Sequence, residues 1–215
     1  MADVGSNRRE RRFKLRGGVV CLDFVNTVGS RLTDRSSEYL RSYEDLLDWA
    51  RQAGLLVPEQ TKGLSRQAAL DPKGAQETLL RAFALREAID RVISRAIAGE
   101  SQDETDLSVL NHELSVALSH LRVMPAGGAY RWDWDLSGDD RGARLDAPLW
   151  PVAQSSAKLL TSPKLGRVKV CAGDGCGWMF LDESRNNSRR WCDSRDCGNR
   201  ERVRRHLARK RASGS

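Results

Sequence analysis

Apolar residues recur at helical spacing over much of the first 160 positions of the chain. Ser42, followed three positions later by Asp45, reads as a helix N-cap, and Leu46, Leu47, Trp49, Ala50 and Ala53 form one stripe that Gly54 ends. Pro58-Glu59 opens a second, shorter helix running toward Leu70. Asp71-Pro72 places a capping carboxylate before a proline at the first helical position, and Leu79, Leu80, Phe83, Ile89, Val92, Ile93 and Ala96 keep to one side until Gly99. That pattern predicts the longest helix. A fourth starts near Asp103, with Leu107, Leu110, Leu114, Ala117, Leu118 and Leu121 in step and Pro125 marking its end; Asp146 with Pro148 opens another toward Leu160.

Two stretches break from this period. Val19 to Val25 is short, β-branched and apolar, which predicts a strand after the Gly17-Gly18 turn, with Asp23 pointing away from its neighbours. Tyr130 to Leu136 alternates large apolar with charged residues, the period of a half-buried strand, and should form a hairpin with Arg122 to Met124 across Gly127-Gly128. The strand near residue 20 could join that sheet. Ser137 to Arg144 reads as a loop, and Thr161-Ser162-Pro163 as a domain boundary. The expected fold class is α+β, mainly helical. It comprises a basic flexible arm at 1–16, a helical domain with a small antiparallel sheet at 17–162, and a C-terminal treble-clef-like module at 163–215 that holds four of the five cysteines.

Charge sharpens that division. The 215 residues carry a net +7, but residues 163–215 hold 14 Lys/Arg against 6 Asp/Glu, while residues 17–162 stand at −5 and the arm at +4. An acidic body with two basic ends suits a polyanion partner. No apolar run approaches the length of a membrane span, and no apolar segment follows the basic arm as a signal peptide would require, so the expected location is the cytoplasm.

Four of the five cysteines fall in the basic C-terminal segment. Cys171, Cys176, Cys192 and Cys197 are spaced CxxxxC, fifteen residues, CxxxxC. Two close pairs at such a distance suit a tetrahedral Zn²⁺ held by two tight turns, and four thiolates leave no coordination position for a substrate, so one structural zinc is expected. Two disulfides are the alternative, disfavoured in a chain without export signals. Arg167 to Val170 and Trp178 to Leu181 should be paired strands over the site; Cys21, in an apolar run, reads as a small buried hydrophobe. Beyond Cys197 a charged helix is predicted, with Val203 and Leu207 facing the zinc core and Arg202, Arg205 and Arg209 forming one exposed stripe, Arg200, Arg204 and Arg211 another. With Arg189 and Arg190 these are the candidate nucleic-acid contacts, since the planar guanidinium suits phosphate and guanine edges. Trp178 and Trp191 either stack on unpaired bases or pack on the zinc core. DNA is the leading partner; an RNA or ribosome-associated role and a protein-interaction adaptor stay open.

Cys192 to Arg200, preceded by Trp178 to Asp182 and Ser188 to Trp191, resembles the CGNR zinc finger, named for the four residues here at 197 to 200. Gly17-Gly18 with Cys21 to Val28, Leu46 to Trp49 and Gly54 to Leu56 resembles the ABATE domain that accompanies that finger in bacteria. Together the resemblances span nearly the whole chain. They imply a stress-related transcription regulator whose finger binds DNA and whose ABATE domain senses a ligand or partner. All four cysteines match the finger's pattern, as do Asn199, placed to brace the helix start, and Arg200, placed to reach phosphate or a base.

If the larger domain senses a ligand, Asp23, Asn26, Thr27 and Arg31 are the candidates; the competing reading is that polar groups at an element's end satisfy the next turn. No nucleophile–base motif accompanies the three histidines, His112, His120 and His206, so no enzymatic activity is expected. A short finger would gain affinity from homodimerisation or from the arm at Arg8 to Arg16.

Overall fold

A computed structural model describes residues 11–136 and 144–213 of the chain. Among these lie seven α-helices and three separate two-stranded antiparallel sheets. The helices are α1 (Val20–Val25), α2 (Tyr43–Gln52), α3 (Pro58–Leu70), α4 (Pro72–Ala98), α5 (Glu104–Ser119), α6 (Trp150–Leu160) and α7 (Cys197–Ser213). The sheets pair β1 (Val28–Gly29) with β2 (Ser37–Glu38), β3 (Leu121–Ala126) with β4 (Ala129–Trp134), and β5 (Val168–Val170) with β6 (Met179–Leu181).

The helix starts follow the capping chemistry. Ser42 Oγ accepts the Asp45 N–H at 3.2 Å, Asp71 Oδ1 accepts that of Gly74 at 2.9 Å, and Asp103 Oδ1 that of Thr105 at 2.8 Å. Gly99, at φ 71°, closes α4 in the left-handed conformation that a side chain would resist. The fourth helix stops at Ser119, before its expected end, because Leu121 already belongs to β3; Pro125 lies within that strand. A 3-10 turn at Ala147–Leu149 leads into α6, and another at Pro163–Arg167 leads into β5.

The predicted strand at 19–25 is instead the helix α1. A continuous apolar run suits a strand or a helix buried on all sides, and α1 is the second, packed against α4, α6 and β6 with Cys21, Leu22, Phe24 and Val25 buried. Phe24 meets Trp49 of α2 at 4.9 Å between ring centroids. Gly17 makes the entry possible, since a Cβ there would lie 2.6 Å from the Asp23 nitrogen. The hairpin of β3 and β4 forms as predicted but stands alone, and the loop expected at Ser137 to Arg144 lies, up to residue 143, outside the described residues.

Residues 11–16 of the basic arm lie along the body; residues 1–10 are outside the described residues. Gln52 of α2 holds this segment at both ends of its amide, accepting from Phe13 N–H at 3.0 Å and donating to Arg11 C=O at 2.6 Å. No described helix is long and apolar enough to cross a membrane.

Asp23 Oδ1 accepts the Gly17 N–H at 2.7 Å, tying the loop before α1 to its first turn. Burial outweighs that bond and pushes the carboxyl up to about 6. A raised acid binds its proton more tightly in the folded state, so its contribution is complete below about pH 4 and is lost as pH rises through 6, a change of about 3 kcal/mol. Asp23→Asn keeps an acceptor for Gly17 and removes the titration. Urea unfolding between pH 4 and 7 should show this downward contribution in the wild type and its disappearance in the variant.

Candidate metal centre

The four cysteines of the C-terminal segment converge although 25 residues lie between the first and the last. Cys171 follows β5, Cys176 ends the glycine turn, Cys192 lies in the loop after β6, and Cys197 opens α7. Their sulfurs all lie within 4.8 Å of one another, and the neighbouring pairs Cys176–Cys192 and Cys192–Cys197 are at 3.8 and 3.6 Å. A tetrahedron with metal–sulfur bonds of about 2.3 Å has edges of about 3.8 Å. All five cysteines are free thiols, so the disulfide alternative does not hold.

The donor set demands a cation. At this spacing, thiol bonds from Cys176 and Cys192 favour the thiolate form of Cys171, while Cys176 and Cys192, facing that charge, are pushed up. A divalent metal removes that conflict by displacing the protons. The N–H groups of Gly173 and Cys192 donate to Cys171 Sγ at 3.4 and 3.2 Å, and Arg200 Nη2 donates to Cys197 Sγ at 3.0 Å, spreading the excess negative charge of a tetrathiolate. Gly173 is required by space: a Cβ would lie 3.0 Å from that of Cys197. These cysteines are the ligands of one structural zinc ion.

The loop between the cysteine pairs is organised by Asp182, a residue that no local sequence pattern singles out. Its fully buried carboxylate accepts from Lys169 Nζ at 2.6 Å, from the Ser184 N–H and hydroxyl at 2.9 and 2.6 Å, and from Arg189 N–H at 2.9 Å. Burial raises this carboxyl, but the converging donors prevail and hold it well below the usual carboxylate range.

The zinc module and the helical domain share one strand. Along β6, Met179 and Leu181 belong to the large helical core, with Val168 of β5, while Phe180 and the preceding Trp178 pack around the sulfurs. Asn26 secures this strand end on: its Nδ2 donates to Met179 C=O at 2.8 Å and its Oδ1 accepts Met179 N–H at 2.9 Å. Leu181 N–H donates to Gly17 C=O at 2.8 Å, and Trp178 Nε1 to Val28 C=O at 2.7 Å. Lys14–Asp196 at 2.7 Å and Arg16–Asp193 at 3.0 Å complete the seam from the arm.

The candidate ligand residues are engaged by the protein itself. Asp23 and Asn26 serve as described. Thr27 donates to Phe24 C=O at 2.7 Å and accepts from Arg86 at 3.2 Å. Arg31 pairs with Glu87 at 2.8 Å and reaches Val25 C=O at 3.1 Å. Buried Arg86 grips Glu38 in a fork at 2.9 and 2.6 Å and adds Glu87 at 3.0 Å, so that Thr27 and Arg31 belong to an ionic clamp holding residues 25–38 on α4.

The arginines divide into two groups. Arg189 is an internal brace: its guanidinium lies 4.2 Å from the Phe180 ring centroid and donates to Trp191 C=O at 3.0 Å, to Arg16 C=O at 3.3 Å and to Cys192 C=O. Arg200 serves a thiolate and Asp196, and Asn199 is exposed. Arg190 is exposed, over the Trp191 ring at 5.4 Å. On α7, Arg202 reaches Ser194 C=O at 3.0 Å, and Glu201 holds Arg204 and Arg205 at 2.9 and 3.0 Å. Val203 and Leu207 do not face the zinc core; at 51% and 50% exposure they lie in solvent, because α7 leaves the knuckle after its first turn and residues 202–210 are exposed on every side. Trp178 is buried and Trp191 rests on Gly198, where a Cβ would come within 3.3 Å of the indole.

Cys192→Ser replaces a soft ligand at the centre of the cluster, touching both Cys176 and Cys197. Metal analysis of the purified protein should give one zinc per wild-type chain and a large loss in the variant; full zinc content in the variant would remove Cys192 from the ligand set.

Comparison with protein families fits this division. Residues 18–163 match the family model ABATE, described as "Putative stress-induced transcription regulator", and residues 167–210 match the CGNR zinc finger. None of the curated proteins matches the chain. The ABATE match alone spans more than half of the sequence, and the chain belongs to the ABATE family, with a CGNR zinc finger following it.

Proposed function

We propose that this protein is a zinc-dependent transcription regulator that binds duplex DNA through α7 and the zinc knuckle at its base. The observation that carries this reading is α7 itself: a helix anchored at Cys197, exposed from residue 202 to 210, with Arg202, Arg204, Arg205, Arg209 and Lys210 on its surface. At 17 residues it is about 25 Å long, enough to cross a major groove. Each arginine keeps further N–H donors after its bond within the chain, and Glu201 splays Arg204 and Arg205 from the base of the helix. Duplex phosphate fits better than unpaired bases because Trp178, one of the two candidate stacking rings of the finger, is buried.

In this reading the helical domain sets the position of the finger through β6. The role is non-catalytic: His120 stacks on Trp150 at 4.3 Å, and His112 and His206 are exposed.

Replacing Arg202, Arg205 and Arg209 together with alanine should weaken duplex binding and reduce the slope of log K against log salt by about 2 to 3, with zinc retained. An unchanged slope would move the contact surface off α7. Genome-wide mapping of bound DNA should recover discrete sites for the wild type; tighter binding to single-stranded RNA than to any duplex would favour the RNA reading.

A further inference from the structure

The hairpin of β3 and β4 carries an apolar face that the helical core only partly uses. Cross-strand partners share a face, so Leu121, Val123 and Pro125 of β3 lie with Trp134, Trp132 and Tyr130 of β4. At its base this face is anchored, with Trp134 against Trp150 of α6 at 6.0 Å between centroids. Further out it is bare: Tyr130 is 77% exposed and Trp132 68%. The alternation seen in the sequence is therefore real, but its apolar side is not half-buried as expected. A two-stranded hairpin is marginal by itself in water, so exposed aromatics there call for a partner.

The two edges of the hairpin differ. Asp135 N–H donates to His120 C=O at 2.8 Å, which makes that pair hydrogen-bonded and, by alternation, directs the backbone groups of Tyr130 and Trp132 away from β3. Among the described residues no strand pairs with this outer edge of β4. The outer edge of β3 includes Pro125, which has no N–H to offer and blunts it against pairing.

The order Tyr130-Arg131-Trp132-Asp133-Trp134 is self-complementary when read against its own reverse. Laid antiparallel on a second copy about Trp132, the strand places Trp132 opposite Trp132, Tyr130 opposite Trp134, and Arg131 opposite Asp133 twice. Trp132 then falls at a hydrogen-bonded position, where outward N–H and C=O groups meet their counterparts. The Arg131–Asp133 positions fall at non-hydrogen-bonded sites, where side chains come closest. Within one strand Arg131 pairs with Asp133 at 2.7 Å and Asp133 Oδ1 accepts the outward Trp134 N–H at 2.9 Å, so pairing about the two-fold axis exchanges these two bonds for the equivalent ones to Asp133 and Tyr130 of the second copy.

We propose that the outer edge of β4 joins a second copy of this chain, forming a four-stranded sheet with an aromatic ladder on one face and two Arg131–Asp133 pairs on the other. The surface is distinct from α7, and the proposal does not rest on DNA binding.

Sedimentation velocity on the full-length, zinc-loaded protein tests it. The wild type should be a dimer at micromolar concentration. Arg131→Asp places carboxylates opposite one another twice, and Asp133→Arg does the same with guanidinium groups, so each variant should lose dimerisation by about tenfold or more while retaining its zinc. An equimolar mixture of the two restores opposite charges at both pairs, and dimers should return. A monomeric wild type, single variants that stay dimeric, or a mixture that stays monomeric would each overturn the proposal. Return of dimers on mixing also shows that both variants are folded.

Discussion

The structure turns on a strand of three residues with two different faces. Side chains alternate across a β-strand, so β6 can offer Met179 and Leu181 to the helical core while Phe180 faces the cysteine cluster. A slip of one residue would exchange these faces, setting Phe180 into the helical core and Met179 against the sulfurs. Register therefore has to be held from outside the sheet, and Asn26 does so by pairing both of its amide groups with the backbone of Met179. Zinc fixes the loops on one side of β6 and helix packing fixes the other. Neither half of the molecule is a free-standing appendage.

This sharing reorganises the electrostatics suggested by composition. Within the finger, Asp193 and Asp196 are answered by Arg16 and Lys14 from the arm, while Arg189 and Arg200 are spent on backbone carbonyls and a thiolate. Much of the positive charge left for a partner is on α7, which departs from the body and meets competing negative charge only near its base, from Asp174, Asp196 and Glu201 among the described residues. A net charge confined to one projecting helix is a steeper field than the same charge spread over a surface.

What could be read from the sequence was what depends on near neighbours. The helix starts at Ser42, Asp71 and Asp103 depend on residues two or three positions away, and the cysteine spacing encodes the local turns of the zinc knuckle. The hairpin followed from alternation and its paired glycines. The errors lie where a distant surface decides. The apolar run of α1 could be strand or helix until α4, α6 and β6 surround it, and Val203 with Leu207 implies an opposing surface that the fold does not supply. Asn26 and Met179 are 153 residues apart, so no local pattern joins them. The polar groups Asp23, Thr27 and Arg31 each bond to backbone or charged groups of the chain itself, partners that only the folded structure reveals.

The claim that zinc and helical packing stabilise one another through β6 is tested most directly by differential scanning calorimetry of the zinc-loaded protein, with far-ultraviolet circular dichroism followed in parallel, before and after chelation. A shared strand predicts one cooperative transition that includes the helical signal and falls to lower temperature when zinc is withdrawn. Two independent transitions, with the helical one unmoved by chelation, would contradict it.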